Sequence, residues 1–173
     1  MHHLHLLRHA KAERGEASDD RARALSKRGR AAARRIGEGL PAAVGRLDLV
    51  LCSPALRTRE TAALVLAGYR QPPRIVYDET LYLAGRAALL RRLRELDEAA
   101  GAVLLIGHNP GLHELAVGLA APESQAYEAL ASGKFPTGAR ASLAIAASWA
   151  ELGRARHPLV AYATPKSLDA EAG

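Results

Sequence analysis

A single cysteine in 173 residues leaves no partner for an intrachain disulfide. That excludes a small oxidised scaffold, and a lone Cys52 fits a reducing cytoplasm. Aromatic residues are scarce, at 4% of the chain. Stacking platforms for nucleic acid are correspondingly poor, and no zinc-finger, RRM or KH pattern occurs, so no nucleic-acid partner is expected. No apolar run approaches membrane-spanning length, and the segment Met1 to Arg8 lacks the basic and apolar regions of a signal peptide. Neither membrane association nor export is expected, which again points to the cytoplasm. HExxH, CxxC pairs and clustered Asp/Glu are absent too, so neither a metal nor a cofactor is expected. There is no internal repeat and no low-complexity linker, so residues 1–173 read as one domain.

What is present is apolar residue and positive charge. Apolar types make up 49% of the chain, enough for a core, and the formal net charge is +6 with a pI near 9.9. A domain of this length buries roughly 70% of its unfolded surface. The basic excess, much of it Arg between Arg21 and Arg35 and at Arg91, Arg92 and Arg94, suggests an anionic ligand, although most of these residues also suit a solvated helix face.

Short apolar runs alternate with helical periodicities. This predicts an α/β fold: a three-layer α/β/α sandwich with a mostly parallel central sheet and an antiparallel C-terminal strand. Strands are expected near His3–Leu7, Asp48–Leu51, Arg74–Tyr77 and Ala102–Ile106, the last being the clearest. Ser26 can cap a helix with Ala33, Ile36, Gly37 and Leu40 on its apolar face, ended by Gly39 and Pro41. Ser53-Pro54 and Asn109-Pro110 each read as a cap followed by a first-turn proline. Leu89, Leu90, Leu93 and Leu96 form the stripe of another helix. Two final strands, Arg140–Ala146 and His157–Ala163, are joined too closely for a crossover and should pair antiparallel.

In open α/β sheets the ligand crevice lies beyond the carboxyl ends of the strands. Three strands deliver ionisable groups there: Arg8 and His9 after the first, Arg57 in the helix following the second, and His108 after the fourth. Helix N-termini begin beside two of these ends and attract anions. Arginine holds phosphate with paired hydrogen bonds, and neutral imidazole is a nucleophile toward phosphorus. The convergence reads as a cage for a phosphoryl dianion, with His9 as attacking group and no metal required.

These residues also carry a resemblance. Leu7-Arg8-His9-Ala10 resembles the RHG signature of the histidine phosphatase (phosphoglycerate mutase-like) superfamily, with Ala in place of Gly. The run Ser53-Pro54-Ala55-Leu56-Arg57-Thr58-Arg59-Glu60-Thr61-Ala62 and the run Gly107-His108-Asn109-Pro110 resemble its second and third signatures. Arg23-Ala24-Leu25-Ser26-Lys27-Arg28-Gly29, the segment Phe135 to Ala139 and Pro165-Lys166 are similar to the small SixA-type phosphohistidine phosphatases. The resemblance implies His9 as nucleophile, with Arg8, Arg57, His108 and Arg23 on the phosphoryl group. Arg21 lies close enough in sequence to stand in for Arg23. Large members of the superfamily take a general acid from a long insertion; here Asp78–Gly85 is short, and Glu79 is its evident candidate. The short insertion implies an open site, suited to a phosphorylated protein, phosphohistidine first, or to a small phosphoester or phosphoramidate.

Three rival chemistries could use parts of the same sequence. A cysteine phosphatase needs five residues between Cys and Arg, whereas Cys52 and Arg57 have four, with a proline among them. A non-catalytic phosphate-binding module recognising phosphorylated partners would use the same cage without turnover. Mutase activity is disfavoured by the missing insertion. His2, His3, His5, His113 and His157 read as structural or surface residues. The oligomeric state is not legible.

Overall fold

The computed structural model describes residues 1–172. Its centre is a six-stranded sheet built from β1 (His2–Arg8), β2 (Leu49–Cys52), β3 (Arg74–Tyr77), β4 (Ala102–Gly107), β5 (Arg140–Ile145) and β6 (Leu159–Ala163). The spatial order is β3-β2-β4-β1-β5-β6. β1 to β4 run parallel, β5 runs against β1, and β6 runs against β5. The expected antiparallel pair is therefore present, and within it β5 is the strand opposed to the rest. Six α-helices surround the sheet among the described residues: α1 (Lys27–Val44), α2 (Leu56–Val65), α3 (Arg86–Arg94), α4 (Gly111–Leu119), α5 (Tyr127–Ser132) and α6 (Pro165–Ala172).

Strand alternation divides the core. Along β4, Val103 and Leu105 face one layer, with Leu89 and Leu93 of α3 and Leu112 and Leu115 of α4. Leu104 and Ile106 face the other, with Ile36 and Leu40 of α1 and Val65 of α2. A strand covered on both faces has no polar side to show, which is why Ala102–Ile106 reads as an unbroken apolar run. The three layers follow.

Register then builds the site. β4 lies between β1 and β2, so Ile106 is level with both Leu7 and Cys52. The next residues along the three strands, His9, Ser53 and His108, leave the sheet at one edge.

Three local expectations need correction. Ser26 does cap α1, accepting from the Gly29 N–H at 3.0 Å. That helix does not stop at Pro41, however, but runs through it to Val44 and is capped by Gly45. Proline has a helix-compatible φ, and what it removes is one donor near the helix end, where few bonds remain. Ser53 and Asn109 do not cap their helices: α2 starts after Ala55 and α4 after Pro110, neither with a side-chain cap. Both side chains are engaged at the strand-end site instead. No helix is long and apolar enough to cross a membrane among the described residues.

Candidate active site

The loops at the C-terminal edge of β1, β2 and β4 enclose a cavity of about 280 Å³. Arg8, His9, Arg23, Arg57 and His108 all line it, together with Asp20. Five of the residues singled out in the sequence are thus brought together from distant parts of the chain.

Each is positioned by its own neighbourhood. After β1 the chain turns at Ala10, whose N–H donates to Thr61 Oγ1 at 3.0 Å. The His9 Nδ1 lies 2.7 Å from the Ala10 carbonyl oxygen. A carbonyl only accepts, so Nδ1 carries the proton and the Nε2 lone pair is left free. Arg8 reaches the other way and donates from Nη1 to Phe135 O at 3.0 Å. Asn109 Nδ2 donates to the same carbonyl at 2.7 Å. The segment leading into β5 is thereby tied to both strand ends. Gly138 completes the tie, its N–H reaching Arg8 O and His9 O at 3.1 and 3.0 Å. Its φ of +78° suits glycine, and a Cβ there would meet Pro165 Cγ at 2.9 Å.

On the β2 side, the Thr58 hydroxyl lies 2.7 Å from both the Ser53 and Ala55 carbonyls and shapes the turn into α2. That turn buries Arg57, which is 1% exposed. Ser53 Oγ lies 2.7 Å from His108 Nε2. Arg57 Nη2 sits 3.4 Å from His108 Nδ1, and since arginine only donates, Nδ1 is the unprotonated nitrogen and Nε2–H donates to Ser53. The two imidazoles are 5.5 Å apart, centre to centre.

Burial sets the charges. Desolvation by burial lowers the His9 pKa to about 4; the Ala10 carbonyl pulls the other way, and the positive charges of Arg57, Arg8 and Arg23 each add to the lowering. His108 is pushed down to about 3, by desolvation first and then by His9 and Arg57. Both rings are neutral at pH 7. The cationic groups in the lining are Lys11, Arg8, Arg23 and Arg57, against the one carboxylate of Asp20. Arg8 Nε and Arg57 Nε are buried without a hydrogen-bond partner. Four cationic groups against one carboxylate, around a neutral imidazole, favour a multiply charged anion over a neutral ligand.

Asp20 is the residue at this site that sequence reasoning under-read. Its Oδ1 accepts from Arg23 Nε at 3.0 Å. Its Oδ2 also accepts from Arg57 Nη2 at 3.0 Å and from the Tyr82 hydroxyl. The Tyr82 hydrogen bond first, and then those of Arg57 and Arg23, outweigh burial and hold its pKa down at about 2. No local sequence signal could reveal the bonds to Arg57 and Tyr82, which lie 37 and 62 residues away.

Of the two arginines offered as alternatives, Arg23 lines the cavity. Arg21 stands outside the lining, over the Tyr82 ring and paired with Glu79. Glu79 is also outside the lining, its side chain 72% exposed. Cys52 is fully buried, and burial pushes its thiol up to about 12, the state of an inert thiol rather than a nucleophile. A larger hollow of about 760 Å³ lies by the opposite ends of β2 and β3, bordered by Tyr69, Arg70 and Arg74, and none of the strand-end groups reaches it.

Residues 4–81 match the family model of the histidine phosphatase superfamily (branch 1). An uncharacterised protein of Mycobacterium tuberculosis is 33% identical over 162 residues, which is 92% of this chain and all of that one. The chain belongs to the histidine phosphatase superfamily. Among solved structures, a protein from Nakamurella multipartitia bearing the name phosphohistidine phosphatase SixA superposes with a TM-score of 0.82 at 31% identity, covering 95% of this chain and 96% of that one. A protein of the same name from Agrobacterium tumefaciens gives 0.79 at 27% identity, covering 95% and 98%. This histidine phosphatase is of the SixA-type branch and is a phosphatase, a hydrolase of phosphorylated substrates.

Proposed function

We propose that this histidine phosphatase works through a phosphohistidine formed on His9 Nε2 and that its substrate is a phosphoramidate, phosphohistidine on a protein first among them. One observation carries the reading: Nδ1 of His9 is committed to the Ala10 carbonyl, which leaves the Nε2 lone pair to a cavity lined by Arg8, Arg57, Arg23 and His108.

In the first step the Nε2 lone pair forms a bond to phosphorus while the bond to the leaving nitrogen breaks and its electron pair stays with that nitrogen. Negative charge spreads over three equatorial oxygens, which the fixed guanidiniums stabilise without reorganising. The Arg8 and Arg57 guanidiniums in the lining are the groups that can follow those oxygens, and His108, its Nε2–H held by Ser53, packs beside them. The phospho-imidazolium keeps its Nδ1 proton on Ala10 O. A water then attacks phosphorus, the P–Nε2 bond breaks with its pair returning to the ring, and inorganic phosphate leaves.

The substrate class follows from the acids available. Asp20 is ionised at any working pH, and Glu79 is turned outward to Arg21. An alkoxide leaves poorly without a proton donor, whereas the ring nitrogen of a phosphohistidine leaves with little help. The name phosphohistidine phosphatase carried by the Nakamurella relative supports the same choice.

Rapid-quench labelling with 32P-phosphohistidine protein, in EDTA, tests the reading. An acid-labile, alkali-stable phosphoenzyme is expected in the wild type and absent in His9→Ala. Tight binding without any turnover would instead favour a phosphate-binding module that recognises phosphorylated partners.

A further inference from the structure

Leu83 is the one residue other than glycine with a positive φ among the described residues, at +48°. Left-handed backbone crowds Cβ against the carbonyl, so leucine adopts it only where the surroundings impose it. They do so from both sides. Upstream, the 3-10 turn Glu79–Leu81 seats Leu81 in the core at 1% exposure, and the Tyr82 ring stands edge-on to His108 at 5.6 Å. Downstream, the backbone of Ala84 lies so close to α4 that a Cβ on Gly111 would fall 2.0 Å from its carbonyl oxygen.

This clamp delivers an apolar side chain to water. Leu83 is 54% exposed. It also lines the cavity, where Ala12 is the only other apolar residue, and it alone among the exposed large apolar side chains does so. Neither local propensity nor core packing explains a strained, solvent-facing leucine at that rim. An outlier of this kind is grounds for a functional hypothesis.

We propose that Leu83 is a specificity-determining residue that packs against the leaving group, selecting phosphoryl donors whose leaving group is a flat, weakly polar ring such as imidazole over small or strongly hydrated ones. The proposal rests on the phosphatase reading above and deepens it. The cage residues grip the phosphoryl end, which every substrate shares. Leu83 is the apolar surface in the lining that can tell one leaving group from another.

The test compares free phosphohistidine with phosphoramidate, whose leaving group is ammonia. Leu83→Gly and Leu83→Asn both suit a left-handed backbone and remove the apolar contact, and Leu83→Met restores it. Loss of one such contact should lower kcat/KM for phosphohistidine by about tenfold in the Gly and Asn variants. Phosphoramidate should suffer several-fold less, and Met should recover most of the loss. Thermal midpoints of the Gly and Asn variants should match or exceed the wild type, since strain is relieved. Equal losses on both substrates, no loss on either, or a Tm lowered by several degrees would each overturn the assignment while leaving phosphatase activity standing. A wild type that hydrolyses neither substrate would overturn the phosphatase reading, and this inference with it.

Discussion

Acid is the perturbation that separates the buried imidazoles from ordinary ones. An exposed histidine with a pKa of 6.5 is about nine-tenths protonated at pH 5.5. His9, held down at about 4 by burial and by three arginines, should be only a few per cent protonated there. Its folded value lies below its unfolded one, so between pH 6.5 and 4 the unfolded chain binds more protons. Stability therefore falls as pH drops through that window and is regained above 6.5. At full strength a depression from 6.5 to about 4 is worth about 3 kcal/mol. His108 and His5, pushed to about 3 and about 4, act in the same direction. His9 and His108 feel each other's charge, so their contributions do not simply add. Asp20, lowered from 3.8 to about 2, loses its contribution mainly below about pH 4, under this window. Urea unfolding at pH 7, 5.5 and 4.5 should show a loss of at least about 3 kcal/mol across the range. Imidazole 15N spectra of the free protein should place the His9 proton on Nδ1 and its midpoint near 4. Saturating phosphate should raise that midpoint by offsetting the arginines. A His9 midpoint near 6.5, or a proton on Nε2, would refute the account of the nucleophile.

Three further outcomes follow from the same site. Asp20→Asn removes the internal carboxylate seated on Arg57, so vanadate and phosphate should inhibit at several-fold lower concentration while stability falls by about 1–2 kcal/mol; weaker anion inhibition would count against that competition. Ser53→Ala frees His108 Nε2 and should lower kcat about tenfold with little change in the thermal midpoint, and an unchanged kcat would show that the 2.7 Å contact does not orient the ring. Cys52→Ser should keep most activity, and iodoacetamide at pH 8 should leave the folded enzyme unlabelled, because burial holds the thiol near 12.

Much of this was legible in the chain. The apolar runs of β1, β3 and β4 and the stripe of α1 are periodic signals that local physics repeats in the fold, and each strand is found within a residue or two of its expected place. That Arg8, His9, Arg57 and His108 come together in one cavity was legible because strand ends followed by helix starts put them on one edge of a parallel sheet. Ser53 and Asn109 were misread for an instructive reason. Capping is the common use of Ser and Asn before a proline, and nothing nearby in sequence reports that His108 and Phe135 O are the partners present. Short elements such as α5 and the turn at Trp149–Glu151 carry too few residues for a period to declare itself.

By itself the sequence determined the layers, the strand ends and the kind of anion they suit, since these depend on burial patterns and residue chemistry that act along the chain. Only the tertiary structure decided which nitrogen of His9 is free, that Asp20 sits on Arg57, that Arg23 rather than Arg21 lines the cavity, and that Leu83 is clamped at its rim. Each of those depends on where a single hydrogen bond or a strained torsion falls between segments tens of residues apart, and such distances exist only once the sheet has set its register.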